Sequence, residues 1–370
     1  MKVGFFSPLP PARTGVADYA AALLTALRRY GNVAVNAEDA DIALYHLGNN
    51  HLHREIYARA IRRPGIAVLH DAVLQHFFLG TLSEAQYIGE FVYNYGEWGR
   101  GMAQDLWKNR ARSAADPRYF EYPMLKRVAC ASRAIIVHNP AAAGAVVAHH
   151  RQAQVSEIPH FFVAPPLPDA ADTLRLRADL GIAPRTLLAG VFGHLRESKR
   201  LTVILRAMER VWRAGADVKL LVQGAFASSD LERSLGPRLA GDPRIVRIGY
   251  LETAGFWKYA AASDVCLNLR FPTAGETSGI AIAMMGIGKP VIFTAGDEIA
   301  RIPENACLRI ERGPAEEETL ADYMLWLAAN PEAAAAIGRN AAAHIVEKHA
   351  LESVAAQYWQ ALSDLGRGSV

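Results

Sequence analysis

Short apolar segments alternate with longer amphipathic ones along most of the chain. Continuous apolar runs predict strands that are covered on both faces of a parallel sheet. In the first half the predicted strands are 2–7, 42–45, 66–69 and 134–137. In the second half they are 187–192, 218–222, 245–248, 265–269 and 291–293. Helices are predicted between them, and the regular alternation predicts an α/β fold with two doubly wound parallel sheets.

A proline cluster divides this alternation into two halves. Clustered prolines resist both helix and central strand, so Val163 to Asp169 is the predicted linker. We therefore predict an N-terminal domain over residues 1–163 and a C-terminal domain over residues 164–350. A helical, aromatic-rich insertion is predicted at about 73–128, and further helices are predicted at 331–348 and 351–365.

Composition narrows the class of protein. The net charge of +3, from 40 basic and 37 acidic residues in a chain of 370, gives no indication of nucleic-acid binding. Three widely spaced cysteines form neither a disulfide framework nor a zinc pattern, and Cys266 is predicted to be a buried thiol. The sequence opens on a strand instead of a signal peptide, and no apolar run reaches the ~20 residues of a membrane span. We expect a cytoplasmic protein, attached at most to the periphery of a membrane.

Two common nucleotide-binding motifs are missing from the strand-to-helix turns. The turn after the first predicted strand, Ser7 to Gly15, lacks the glycine pattern of dinucleotide-binding folds, and no P-loop pattern occurs. A nicotinamide-dependent dehydrogenase or a P-loop kinase is therefore disfavoured.

The run from Arg270 to Gly279 carries the most specific chemistry. It follows a predicted strand and opens a predicted helix, which is where α/β sheets bind ligands. The amides of Thr277, Ser278 and Gly279 are expected to face an anion at the start of that helix. A carboxylate beside an anion site, at Glu276, suits a hydroxyl-rich group attached to a phosphate. A sugar nucleotide has this shape, whereas Glu276 alone could equally be a helix-capping carboxylate.

A pair of cations stands at a second strand-to-helix turn. Arg196 and Lys199 follow Gly193 at the end of the first strand of the C-terminal half. Basic residues are unfavourable at a helix start, so their presence favours a phosphate site over a solvated surface. Two cations there could hold a diphosphate and stabilise it as it departs with extra negative charge. Both turns are expected to face one cleft.

Histidines end three predicted strands of the first half. His46, His70 and His138 each follow an apolar run, and polar residues come soon after. Three such residues on one sheet edge predict a polar cleft wall that hydrogen-bonds to sugar hydroxyls or to an acceptor oxygen. Their spacing carries no metal motif, so no metal site is expected. Gly15, at the same edge, would allow the backbone to approach a ligand closely.

Aromatic and basic residues crowd the insertion at 73–128. One interpretation is an acceptor platform, for example for a lipid-linked sugar at an anionic membrane. The other is a plain hydrophobic core, which the helical spacing of Tyr87, Phe91 and Tyr95 favours.

These motifs together resemble glycosyltransferase family 4, a family of retaining transferases with the two-domain GT-B fold. The C-terminal resemblance runs from Leu187 to about Lys348 and includes the turn with Arg196 and Lys199 and the loop with Glu276. In the N-terminal half, the segments that look like a bacterial subgroup of the family are Pro10 to Tyr19, Leu47 to Asn50 and Val68 to Asp71. The resemblance covers nearly the whole chain.

The resemblance implies two Rossmann-like domains facing a cleft, with the donor nucleotide mainly on the C-terminal domain. Arg196 and Lys199 would match the diphosphate-binding pair, and Glu276 the first glutamate of a paired motif that holds the donor sugar. His70 would match a histidine near the reaction centre, and Gly15 a glycine loop near the phosphates. No metal or other cofactor is implied, and residues 351–370 would form a terminal helix that crosses back to the first domain.

The implied activity is transfer of a hexose from a nucleotide diphosphate sugar to a hydroxyl of a glycan or lipid-linked acceptor. GDP-mannose or a UDP-sugar is the expected donor, and surface polysaccharide synthesis at the inner membrane is an expected setting. One position departs from the pattern, because the second glutamate of the family should fall at Ala283 or Met284. This departure keeps two alternatives open, a sugar-nucleotide epimerase or hydrolase of the same fold and a non-catalytic subunit that binds a sugar nucleotide.

Overall fold

Two six-stranded parallel sheets form the framework of the protein. The structure is a computed structural model that describes residues 1–12 and 14–367, with only the backbone of Arg367. Arg13, which lies inside one of the segments that carry the resemblance, is outside the described residues. The strands of the first sheet are β1 (Lys2–Phe6), β2 (Asn32–Val35), β3 (Ile42–Leu47), β4 (Ile66–Leu69), β5 (Ala134–Val137) and β6 (Val155–Glu157). Their order in the sheet is β2-β1-β3-β4-β5-β6.

The second sheet has the strand order of a doubly wound fold. Its strands are β7 (Leu187–Phe192), β8 (Val218–Gln223), β9 (Ile245–Ile248), β10 (Val265–Asn268), β11 (Val291–Thr294) and β12 (Leu308–Ile310). They are arranged as β12-β11-β10-β7-β8-β9. The order reverses between β7 and β10, and in the first sheet it reverses between β1 and β3. Open α/β sheets bind ligands at such reversals.

Helices connect the strands and cover both faces of each sheet. Within the first sheet's part of the chain they are α1 (Gly15–Leu27), α2 (Arg54–Arg62), α3 (Gln75–Thr81), α4 (Glu84–Tyr95), α5 (Arg100–Lys108), α6 (Arg118–Glu121), α7 (Lys126–Ala131) and α8 (Pro140–His149). The remaining helices are α9 (Ala170–Asp179), α10 (Leu201–Arg213), α11 (Ser229–Gly241), α12 (Thr253–Ala262), α13 (Gly279–Gly286), α14 (Glu316–Ala329), α15 (Pro331–Lys348) and α16 (Leu351–Arg367). Residues 163–169, the predicted linker, form neither helix nor strand.

The predicted α/β class with two parallel sheets is confirmed. Three strands escaped the sequence prediction, namely β2, β6 and β12, and all three lie at sheet edges. Only one residue of β2 and one of β12 is buried, and none of β6 is. An edge strand of this kind lacks the continuous apolar run on which the prediction depended.

Aromatic residues of the insertion form a hydrophobic core, as their spacing predicted. Tyr87 and Phe91 on α4 are fully buried, and both belong to the cluster that packs against β4 and β5. Trp98 is the exception, since 74% of it is exposed. The core interpretation is confirmed for the α4 face, and Trp98 is left on the surface.

The terminal helix α16 packs against the first sheet's cluster, although it follows the second sheet in the chain. Its residues Val354, Tyr358 and Leu362 are fully buried beside β1 and α1. The hydroxyl of Tyr358 lies 3.0 Å from the hydroxyl of Tyr19 on α1, and both rings are buried. The contact ties the end of the described chain to its beginning.

We expect Tyr358→Phe to lower the free energy of unfolding by about 1–3 kcal/mol, because the Tyr19 hydroxyl would be left buried without its partner. Urea denaturation of the wild type and the variant measures the difference. Tyr250→Phe is the matched control, since Tyr250 is 54% exposed. An equal stability of the Tyr358 variant and the control would show that the hydroxyl pair contributes nothing.

Candidate functional site

The loop after β10, at the strand-order reversal of the second sheet, meets the loops that follow β4 and β5 of the first sheet. The loop after β10 touches the first domain directly. The Ala72 amide donates to the Ala274 carbonyl at 2.7 Å. The Asn139 side-chain amide donates to the Gly275 carbonyl and to the Thr277 hydroxyl, both at 2.9 Å. A side chain on this loop is therefore held at the interface of both domains.

Glu276 is anchored on this loop by three neighbours. Its carboxylate accepts from the Arg270 guanidinium at 2.6 Å, from the Ala274 amide at 2.8 Å and from the Thr273 hydroxyl at 3.1 Å. The side chain of Glu276 is 22% exposed, so it is not sealed from the cleft. A carboxylate fixed in this way can accept hydrogen bonds from a hydroxyl-rich ligand without reorganising.

Gly275 shows how closely the loop approaches the first domain. Its φ of +71° is in the left-handed region, and a Cβ there would lie 2.9 Å from the Cβ of Ala72. Glycine satisfies both the backbone conformation and the lack of space.

Lys199 is buried behind the loop after β7 instead of projecting freely. It is only 8% exposed, and its ammonium donates to the carbonyl of Phe192 at the end of that strand. Burial lowers the pKa of Lys199 to about 7, and the Arg270 guanidinium contributes further to the lowering. Near neutral pH this side chain is therefore poised between its charged and neutral forms.

Arg196, by contrast, is exposed at the mouth of the same loop. It acts electrostatically on Lys199 and on Asp71 of the first domain, and Glu276 acts on the same two groups. The predicted cations and the predicted carboxylate are thus brought into one electrostatic environment. Gly193 begins this loop with a φ of +80°, where a side chain would collide with Ile280 on α13.

Asp71 faces Glu276 from the first domain. Burial raises the pKa of Asp71 to about 6, and the nearby Glu276 carboxylate adds to the rise. One of its oxygens accepts from the Asn49 amide at 2.7 Å. The sequence placed Asp71 after a strand-end histidine but gave it no role of its own.

His70 lies in a cluster of buried imidazoles. Its Nε2 is 2.9 Å from Nδ1 of His46, and its ring packs edge-on against Tyr19. Burial, with His138 and His46 nearby, lowers the pKa of His70 well below its ordinary value. His70 is therefore a neutral hydrogen-bonding group at neutral pH.

One part of the histidine prediction is corrected by the structure. His46 does not stand on a cleft wall, because β3 extends to Leu47 and encloses it, and the side chain is fully buried. His138 is mostly buried, with Nδ1 donating to the Ile158 carbonyl, but it does line the space between the two domains. The sequence could not distinguish either residue from His70, since all three follow an apolar run in the same way.

The predicted site includes the N-termini of two helices, α1 and α13. Gly15 is exposed at the first turn of α1, where Thr14 caps the helix by accepting from the Ala17 amide at 3.1 Å. At α13, the Ser278 hydroxyl accepts from the Ala281 amide and donates to Asn268. The first amides of a helix have no partner within it, so both starts favour an anion.

The second-glutamate position is apolar in the structure as in the sequence. Met284 is fully buried in the core cluster under the second sheet, and Ala283 is half-buried beside it. Neither side chain can accept a hydrogen bond from a hydroxyl.

Arg270 is the functional candidate that sequence reasoning missed. It pairs with Glu276 and also donates to the Ser278 hydroxyl at 3.1 Å. A signal was available, because Arg270 directly follows a buried strand and lies in the same loop as Glu276. An ion pair six residues apart across a loop is visible only once the loop is folded.

A cavity of about 420 Å³ lies beside this site, between the two domains. Four of the predicted residues line it, namely His138, Glu276, Thr277 and Ser278. The other predicted residues are not among those that line it, namely Gly15, His70, Gly193, Arg196, Lys199 and Gly279.

Comparison with known sequences defines the class of the C-terminal half. Residues 184–330 match the family described as "Glycosyl transferases group 1". The match confirms the resemblance at that level, over the part of the chain that contains Arg196, Lys199 and Glu276. No protein with a curated description matches the chain in sequence.

Solved structures extend the likeness to both domains. Sucrose-phosphate synthase from Thermosynechococcus elongatus is 17% identical with a TM-score of 0.67, and the match covers the whole of both chains. HepE from Anabaena, solved in complex with UDP and glucose, is 16% identical with a TM-score of 0.69, and the match covers 98% of this chain and 100% of that one. A Listeria monocytogenes protein, proposed to be a UDP-N-acetylglucosamine 2-epimerase, is 14% identical with a TM-score of 0.55, over 100% of this chain and 97% of that one.

These likenesses establish the fold. The chain has the two-domain GT-B fold of glycosyltransferases, as the sequence resemblance implied. None of the helices in the described part of the chain combines the length and the apolar character needed to cross a membrane.

Proposed function

We propose that this protein is a retaining glycosyltransferase that moves a hexose from a nucleotide diphosphate sugar to a hydroxyl of a glycan or a lipid-linked acceptor. One observation carries the proposal. At the strand-order reversal of the second sheet, Arg196 and Lys199 share an electrostatic environment with Glu276, and the loop that carries Glu276 contacts the first domain. Cations beside an anchored carboxylate suit a ligand that is anionic at one end and hydroxyl-rich at the other.

The anionic end would be the pyrophosphate. Arg196 and Lys199 supply positive charge, and the first amides of α13 supply donors. As the bond to the sugar breaks, negative charge grows on the pyrophosphate, and these groups are already oriented to meet it. The leaving group is then stabilised without a metal ion, so none is part of the proposal.

The hydroxyl-rich end would be the sugar. Glu276 is fixed by Arg270 and keeps part of its surface open to the cleft. The neutral imidazole of His70 and the carboxyl group of Asp71 lie on the first domain opposite it and offer further hydrogen-bonding atoms. Holding the anomeric carbon between the two domains lowers the entropic part of the barrier.

The donor is proposed as UDP-glucose in the first instance, because HepE has been solved with UDP and glucose. GDP-mannose is the second choice, from the family resemblance. The insertion around α4 and α5 is the proposed acceptor side, with cytoplasmic location at the periphery of the inner membrane.

A second function keeps some support from two observations. The chain shares its fold with a protein proposed to be an epimerase, and it lacks a hydrogen-bonding side chain at Ala283 and Met284. An epimerase, a hydrolase or a non-catalytic subunit would use the same donor cleft. The product separates these functions, since only a transferase needs an acceptor hydroxyl.

Calorimetry with UDP-, GDP-, ADP- and dTDP-sugars tests the proposal first. We expect one nucleotide to bind clearly more tightly than the others, and the bound sugar to be transferred to an acceptor with retained anomeric configuration by NMR. Release or isomerisation of the sugar without an acceptor would favour the epimerase or hydrolase. Binding of none of these compounds would contradict the proposal.

Donor affinity should fall as pH rises above about 7, because Lys199 must carry a proton to hold the pyrophosphate. The folded, unliganded pKa of Lys199 is about 7, so the side chain loses its charge above that value. Binding then requires proton uptake, and affinity should drop up to about tenfold per pH unit. Calorimetry at several pH values measures this drop.

Lys199→Arg is the control, because arginine stays charged throughout this range. Its donor affinity should be much less sensitive to pH. An affinity of the wild type that is constant above neutral pH would contradict a contact between the Lys199 ammonium and the donor.

A further inference from the structure

His46 and His70 meet edge to edge at the carboxyl ends of β3 and β4. Nδ1 of His46 lies 2.9 Å from Nε2 of His70, the ring centres are 5.2 Å apart and the ring planes differ by 21°. The two nitrogens therefore face each other, and the N–H of one ring points at the lone pair of the other. Phe5 packs on the His46 ring and Tyr19 packs on the His70 ring, which holds both rings in this orientation.

Both imidazoles are uncharged at neutral pH. Burial lowers the pKa of His46 to about 3 and lowers the pKa of His70 well below its ordinary value. A neutral imidazole carries one proton, on either Nδ1 or Nε2. The contact therefore has two forms. His46 donates through Nδ1–H and His70 keeps its own proton on Nδ1, or His70 donates through Nε2–H and its Nδ1 is a bare lone pair.

The buried side of the His46 ring favours the first form. Its Nε2 has no hydrogen-bond partner among the described residues and is sealed from solvent. If His70 donated, the His46 proton would lie on this Nε2 as a buried N–H without an acceptor, which folded proteins rarely contain. His53 and His138 show the alternative, because each donates through Nδ1–H to a carbonyl and leaves a bare, buried Nε2. A buried Nε2 lone pair is thus already tolerated in this cluster.

The second nitrogen of His70 lies across the ring from this contact. Nδ1 of His70 has no partner among the described residues, yet it is not one of their buried unpartnered atoms, so it keeps contact with solvent. The backbone places it at the interdomain cleft. The His70 amide donates to the Leu47 carbonyl at 2.9 Å, and the Ala72 amide donates to the Ala274 carbonyl of the second domain at 2.7 Å. A proton on Nδ1 of His70 is therefore accessible to a ligand between the domains.

We propose that His46 is a positioning residue, which donates through Nδ1–H to Nε2 of His70 and so keeps the His70 proton on Nδ1. The hydrogen bond made by one ring nitrogen decides the protonation of the other. His70 then presents an N–H donor to the cleft and accepts no proton at that atom. What His70 does to a ligand rests on the proposed function: it donates to an oxygen of the transferred sugar and is not the base for the acceptor hydroxyl.

NMR on the unliganded full chain tests the position of the proton without any activity. With ¹⁵N-labelled histidines, long-range correlations between ring protons and ring nitrogens show which nitrogen is protonated, and His70→Gln identifies the His70 signals. We expect a protonated Nδ1 and a bare Nε2 in His70, with a ¹⁵N–¹⁵N coupling across the hydrogen bond from His46. A protonated Nε2 in His70 would overturn the proposal.

Two substitutions of His46 and one control test the positioning role. His46→Leu removes the hydrogen bond, and His46→Asn keeps a donor near the position of Nδ1. His349→Leu is the control, because His349 is another buried histidine that bonds a carbonyl and it does not act on His70. We expect a single His70 tautomer in the wild type, in His46→Asn and in the control. His46→Leu should show a mixture of two, because the His70 ring is free to turn once the contact is lost.

Transfer assays on the same variants connect the His70 tautomer with the reaction. At equal folded fraction by circular dichroism, kcat of His46→Leu should fall about tenfold, as is common when the partner that orients a functional histidine is removed. His46→Asn should recover most of this loss. A His46→Leu variant with a single His70 tautomer and the wild-type kcat would show that His46 positions nothing. If the NMR result holds but the wild type transfers no sugar, the proposed function fails and the assignment of the proton stands.

Discussion

Replacing Arg196 and Lys199 together by alanine should reduce glycosyl transfer by about 10⁴-fold. Each charged contact to the departing pyrophosphate supplies about 3 kcal/mol, which is about a hundredfold in rate. The two contacts act on the same leaving group, so the combined loss is the largest that any pair of substitutions should produce. A steady-state or single-turnover assay with the donor found by calorimetry measures it.

The loss should come from chemistry and not from unfolding. Arg196 is exposed and makes no ion pair within the described residues, so its removal leaves the fold intact. Lys199 is buried, so Lys199→Met is the better variant for stability because it keeps the volume and removes the charge. Arg210→Ala with Lys258→Ala removes two exposed cations elsewhere on the same domain and serves as the control. Near-normal turnover in a folded Arg196 and Lys199 variant would show that the phosphate assignment is wrong.

Acidification should unfold the protein steeply as the pH falls from about 6.5 toward 5, because six histidines, four buried and two half-buried, must then take up protons. Burial is the main cause that lowers the pKa of each. The values are about 3 for His46 and His160 and about 4 for His53, His138 and His349. His70 is lowered well below its ordinary value.

Below the ordinary histidine pKa of 6.5, each of these histidines binds a proton in the unfolded chain but not in the folded protein. The free energy of unfolding therefore falls as the pH falls. At pH 5 each such histidine costs about 2 kcal/mol of stability. Six together reach on the order of 10 kcal/mol, which is comparable with the whole stability of a typical domain. Asp71 opposes this trend, since its pKa is raised to about 6.

Circular dichroism during pH titration, with urea melts at each pH, measures the effect. His160→Phe should shift the acid midpoint downward, because one proton fewer is bound on unfolding. His51→Gln changes an exposed histidine and should leave the midpoint unmoved. A protein whose stability is flat between about pH 6.5 and pH 5 would contradict the neutral, buried state of these imidazoles.

The sequence predicted the central strands well and the edges poorly. Strands such as β4 and β7 are buried at every position, so their apolar runs are continuous. The edge strand β6 has no buried residue, and nothing in its local pattern separates it from a loop. It is a strand because its backbone pairs with the neighbouring strand β5, and the sequence does not show this pairing.

The parts of the candidate site that lie within a single turn could be predicted from the sequence. Glu276 and the pair Arg196 and Lys199 stood out because charged residues followed buried strands, and the topology then brought them together. The burial of each group could not be predicted from the sequence. Burial of Lys199 against Phe192, and enclosure of His46 beneath His70, depend on how far each strand and loop extends in the folded chain.

A crystal structure of the protein with its preferred nucleotide sugar tests the central claim most directly. We predict that the pyrophosphate oxygens lie within hydrogen-bond distance of Arg196 and Lys199, and that a sugar hydroxyl donates to Glu276. Density for the nucleotide in the cavity beside α15, or at any site away from these three side chains, would contradict the account.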